Sequence, residues 1–169
     1  MFLRILALAL LLSIPTPKMT VASEIGDHSS KAICYSDAEV EAEQAIRIHS
    51  ELMVIGLTCQ RISQKQNLYQ KYRVFTKKHA NLLSHYEQDM IGYYQRQGAA
   101  SPDRKLHTLR TSLANSISEH AVRMNTVSFC KNFSQRIDIA LGMDEDKFRT
   151  WAQKVWPEQP PTQPICNAL

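Results

Sequence analysis

The chain has 169 residues, 44% of them hydrophobic and 21% charged, with a formal net charge of +4. That length fits one domain with its own core, and the apolar fraction excludes a chain too polar to fold. The charge is too small to mark a nucleic-acid binder, and half of it lies in the first 23 residues.

Those first residues read as an export signal. Arg4 gives a positive start, Ile5 to Ile14 is apolar except for Ser13, and Pro15 and Pro17 precede the small cluster Val21-Ala22-Ser23. This is the three-part layout of a secretory signal peptide, with cleavage expected after Ala22 or Ser23. The apolar run is shorter than the roughly 20 residues a bilayer span needs. No stable membrane anchor is expected after cleavage. Losing residues 1–23 removes Arg4 and Lys18 and no acid, so the charge falls to +2. The expected location is periplasmic or secreted.

The rest is poor in glycine and dense in helix formers, and helical spacing dominates over any period of two. A first helix is predicted over 37–62, with Ser36 as N-cap and Glu39 at N3 forming a capping box. Its apolar face runs through Ala42, Ala45, Ile46, His49, Leu52 and Cys59, leaving Glu41, Gln44, Arg47 and Glu51 exposed. A second helix is predicted over 66–97 with the stripe Leu68, Tyr72, Phe75, His79, Leu82, Tyr86, Met90 and Tyr93, a packing seam in steps of three and four. Gly98-Ala99-Ala100 ends it. A third begins at Pro102 behind Ser101 and carries Leu106, Leu109, Leu113, Ile117, His120 and Met124. The apolar face then shifts to Phe129, Cys130, Phe133, Ile137 and Ala140, so a break is predicted at Asn125-Thr126, followed by a fourth helix over 127–141. Asp144 should cap a short fifth helix carrying Phe148, Trp151, Val155 and Trp156. The proline-rich tail should be extended. The expected fold is all-α: an up-down-up bundle of three long helices plus two shorter C-terminal ones, stapled by disulfides. Its divisions are a signal peptide over 1–23, a leader over 24–35, the helical domain over 36–156 and a tail over 157–169.

Four cysteines, Cys34, Cys59, Cys130 and Cys166, lie beyond the signal, and an even count in an exported chain suggests two disulfides. None forms a C-x-x-C pair, which removes the usual redox, zinc-knuckle and haem-attachment spacings. At about 1.5 Å per residue, Cys59 lies about 33 Å above the start of the first helix; the descending second helix overshoots that start by about 10 Å, so Cys130, counted upward from Pro102, returns to about 32 Å. Cys59–Cys130 is therefore expected, and Cys34–Cys166 follows by elimination, tying the leader to the tail.

The same arithmetic puts His49, His79 and His120 at one level, about 17 Å. Three imidazoles meeting in a bundle are candidate ligands for zinc or copper, or for haem. No carboxylate shares their stripes to serve as a second shell, so core hydrogen bonding is the competing account. Trp151 and Trp156 beside the proline-rich tail form a candidate peptide patch, or a seat for that tail. The Asp144-Glu145-Asp146 run lacks the glycine and closing glutamate of a calcium loop and reads as a helix start. No serine-hydrolase elbow, phosphate loop or dinucleotide fingerprint is present.

The segment Glu43-Gln44-Ala45-Ile46-Arg47-Ile48-His49, the run Leu109-Arg110-Thr111 and the pair Phe129-Cys130 together resemble uncharacterised exported helical proteins of alphaproteobacteria. That resemblance implies a Gram-negative periplasm and assigns no chemistry. The expected function is a non-enzymatic binding or structural module without a cofactor, partnered by an envelope protein and not by nucleic acid. The alternative is a metal- or haem-binding bundle built on His49, His79 and His120.

Overall fold

The computed structural model describes residues 33–62, 66–155 and 159–166. The predicted signal peptide, most of the predicted leader, and Trp156 with Pro157 lie outside them. Seven helices follow one another among the described residues: α1 (Asp37–Cys59), α2 (Leu68–Lys78), α3 (Ala80–Arg96), α4 (Pro102–Arg123), α5 (Thr126–Phe133), α6 (Gln135–Leu141) and α7 (Glu145–Ala152). No strand is present there; Tyr35 and Ile165 form an isolated parallel bridge.

Helix α1 starts where its cap predicts. The Ser36 side chain accepts from the Glu39 amide, and the Glu39 carboxylate accepts from the Ser36 amide at 2.7 Å. These bonds satisfy two donors that a helix start leaves orphaned. What the sequence pattern misplaces is the polar side. α1 packs against all six other helices, and 16 of its 23 residues are buried. Glu51 and Gln44, predicted to face solvent, are buried, and Glu41 and Arg47 are partly so. A readable sign exists: Val40, Ile48, Val54 and Ile55 lie off the predicted face, and a helix apolar on every side belongs in the middle of a fold.

The second predicted helix keeps its seam and loses its continuity. All eight residues from Leu68 to Tyr93 in the stripe are buried. At His79, however, the backbone leaves the helical region (φ −106°, ψ 19°) and separates α2 from α3. The hydrogen-bond ladder nearly bridges the gap: the His79 amide donates to Phe75, and the His79 carbonyl accepts from Leu83. Gly56 sets how close α2 comes to α1. A Cβ placed there would stand 3.3 Å from the Tyr69 Cα, so the bare glycine lets the first turn of α2 press onto the end of α1.

The break at Asn125 falls as expected. Asn125 adopts φ 73°, a left-handed value that asparagine tolerates better than most residues, and its side chain accepts from the Val127 amide at 3.0 Å. The predicted fourth helix is two, α5 and α6, interrupted at Ser134 although that residue keeps helical angles. Asp144 caps α7 by accepting from the Lys147 amide at 2.9 Å. α7 ends at Ala152, short of the predicted stop, and leaves Val155 exposed.

Cross-contacts fix the directions. Arg96, at the end of α3, pairs with Glu39 at the start of α1, while the start of α2 lies against Gly56 near the end of α1. α2 and α3 therefore run antiparallel to α1. Cys130, just after α4, joins Cys59 at the end of α1, so α4 runs back alongside it. This is the up-down-up bundle, with its descending arm bent at His79.

Candidate functional site

Cys59 is joined to Cys130 with Cα atoms 5.4 Å apart, and Cys34 to Cys166 at 5.0 Å. Two disulfides fit folding in an oxidising, non-cytoplasmic compartment. No helix among the described residues is long and apolar enough to cross a membrane.

The three histidines do not converge. His49 is buried on α1, with Nε2 3.1 Å from both the Tyr72 and Thr76 hydroxyls. Burial lowers its pKa to about 4, the Arg110 charge acting in the same direction. His79 is buried at the α2–α3 break between the rings of Phe75 (4.7 Å) and Phe148 (5.2 Å). Among the described residues neither of its ring nitrogens meets a partner at hydrogen-bond geometry. Burial lowers its pKa, and Lys78 adds to this; Glu145, the Met143 backbone and Asp144 oppose them. His120 is half-buried beside Phe133 and Phe129 of α5. Among the described residues no three His, Cys, Asp or Glu side chains gather as a metal set. Equal height along parallel axes fixes a level but no direction around each axis. α1 is central, so its neighbours lie on different sides of it. The zinc, copper or haem alternative thereby loses the meeting of imidazoles on which it stood.

The buried carboxylates of α1 are the polar residues that sequence reasoning missed. Glu43 is fully buried; it accepts from Arg47 at 2.8 Å, from the Thr162 amide at 3.0 Å and from the Thr162 hydroxyl. Beside it the Gln44 side chain donates to the Gln159 carbonyl and Arg47 to the Pro160 carbonyl. Together they clamp the tail onto α1, and the Tyr35 amide and carbonyl bond to Pro164 and Cys166 on the same strip. Glu39 holds Arg96 of α3. Glu41 accepts from the Tyr86 hydroxyl at 2.6 Å and from Gln153 at 3.0 Å. Glu51 is buried against Arg136 of α6 at 2.9 Å; burial raises its pKa, and Arg136 and then Arg47 pull it back. Between them these carboxylates reach α3, α6, Gln153 just past α7 and the tail, which is the arrangement of a fold-holding network and not of a paired acid and base.

Among the cavities that open on the surface of the described residues, two bear on function. A cavity of about 660 Å³ is lined from Arg104 to Glu119 by the polar outer face of α4. Among the described residues its lining comes from that one helix alone. The other is a groove of about 380 Å³ between α6 and α7. Arg136 and Ile139 of α6, with Met143 just past its end, line one side, and Lys147, Thr150 and Trp151 of α7, with Lys154 just past its end, the other. Arg136, held from below by Glu51, lies 5.5 Å over the Trp151 ring, a cation–π distance. The groove thus has an apolar floor, an aromatic anchor and a cationic rim. Comparison of the chain with protein families, with curated proteins and with solved structures finds no match.

Proposed function

We propose that this chain is an exported, non-enzymatic binding module of the periplasm or the extracellular space, and that its binding site is the α6–α7 groove. The observation that carries the reading is the contrast between the two polar sets. The buried carboxylates of α1 are engaged in holding helices and tail together. The groove joins exposed apolar surface, Ile139 at 52% exposure, to a tryptophan and lysines with no comparable structural duty. Exposed apolar surface rimmed by polar groups is what binding sites present. Export is supported by the signal-like start and the two disulfides, and a periplasmic setting by the alphaproteobacterial resemblance.

The test uses chain recovered from the extracytoplasmic fraction of an expressing bacterium. Its intact mass should lack residues 1–22 or 1–23. An anionic apolar dye such as anilinonaphthalene sulfonate should bind it saturably at one site. Trp151→Ala should abolish that binding without changing the helical dichroism. A mass retaining Met1 to Ile14 refutes export, and dye binding that is absent or indifferent to Trp151→Ala refutes the site.

A further inference from the structure

We infer that the α6–α7 groove docks an amphipathic helix of a protein partner, one whose apolar stripe is flanked at both ends by carboxylates. The inference rests on the binding reading above and adds the occupant.

Charge complementarity carries it. Lys147 in the first half of α7 and Lys154, two residues past its end, both line that side of the groove, the Lys154 amide donating to the Trp151 carbonyl at 3.2 Å. Trp151 lies between them, one turn from each. Arg136 is already engaged by buried Glu51, so it orients the tryptophan and leaves the two lysines as the cations on offer. Lys147 does have a partner, Asp144 at 3.3 Å, but both side chains are more than 60% exposed. Such a pair is weak and exchanges readily. Lys154 has no ion pair among the described residues. The pattern along the groove is cation, apolar anchor, cation, and its complement is carboxylate, apolar stripe, carboxylate. Helix-in-groove docking reads such patterns directly.

The shape argues for a macromolecule over a small ligand. A small-molecule site encloses most of its ligand. Here Ile139 in the floor is half-exposed and both lysines stand in solvent, so a surface large enough to lie across the groove is needed to dry it. The nearby acids do not oppose this: Asp138 of α6 is turned to Lys71 at 2.6 Å, and Asp144 lies at the Lys147 end alone.

The experiment measures binding of two synthetic helical peptides to the purified, disulfide-intact chain by calorimetry. Both carry the same leucine stripe; one has Glu at positions i and i+7 beside it, the other Lys. The Glu peptide should bind at least tenfold more tightly. In the double variant Lys147→Glu/Lys154→Glu the preference should reverse, with unchanged helical dichroism, since both positions are exposed. Trp151→Ala should weaken both peptides. Equal affinities, no binding of either peptide, or a preference that survives the charge reversal would overturn the inference. So would decanoate that binds stoichiometrically and displaces the Glu peptide at lower concentration. Dye binding at Trp151 without peptide discrimination would leave the binding site standing and remove only the proposed occupant.

Discussion

Glu43 and Asp138 are both acids paired with a nearby cation, and their surroundings make them energetically different. Glu43 is fully buried with four hydrogen bonds from Arg47 and Thr162. Asp138 meets Lys71 at the surface, with 51% of its side chain exposed. Removing the Glu43 charge leaves buried donors facing a weaker acceptor, so Glu43→Gln should cost about 2 kcal/mol or more. Asp138→Asn should cost less than about 1 kcal/mol. Urea unfolding of the two variants checks the order, and a larger loss at Asp138 would contradict it. His49 gives a second expectation. Its imidazole titrates near 4 in the fold and at about 6.5 in an unfolded chain. Between those values the unfolded state binds more protons, so stability rises with pH. The contribution is present above about pH 6.5 and is lost as pH falls toward 4, by up to about 3 kcal/mol. His79, also lowered by burial, adds a slope of the same sign. Unfolding free energies measured across this range should show a shallower slope for His49→Gln than for the parent chain.

At the scale of elements, each disulfide secures a different junction. Cys59–Cys130 joins the end of α1 to α5, and Cys34–Cys166 ties the strand-like tail to the residue before Tyr35. Their removal should therefore have local signatures beyond a common stability loss on the order of 2–4 kcal/mol each. With Cys34→Ser/Cys166→Ser, the amides of Tyr35 and Thr162 should exchange with solvent much faster, while the buried centre of α3 keeps its protection. With Cys59→Ser/Cys130→Ser, the faster exchange should appear in α5. Hydrogen exchange by mass spectrometry distinguishes them; identical patterns would show that the tail and α5 open as one unit. The elements themselves differ in how far local chemistry announces them. Ser36, Asn125 and Asp144 mark three helix starts because a cap needs only residues within one turn, while Ser101 makes no capping bond and Pro102 marks the start of α4. The break at His79 has no such mark. His79 has ordinary helix-compatible neighbours, and its departure accompanies the seating of its ring against Phe148, 69 residues away in the chain.

For the whole molecule, the sequence by itself determined the all-helical class, the caps, the packing seam from Leu68 to Tyr93, the break at Asn125 and the disulfide pairing. All are consequences of short-range periodicity or of distance along a helix, and both can be read from spacing. Only the tertiary structure decided that α1 is central, that Glu43 and Glu51 are buried, that His49, His79 and His120 look toward different neighbours, and that α6 and α7 enclose a groove around Trp151. Those outcomes depend on the rotation of each helix about its own axis and on what lies beside it. Rotation is set by the combined packing of all the helices against one another. Spacing along the chain gives a residue its height in the bundle. Whether that residue ends in the core, in an ion pair or at the rim of a groove depends on which neighbour the packed bundle turns it toward.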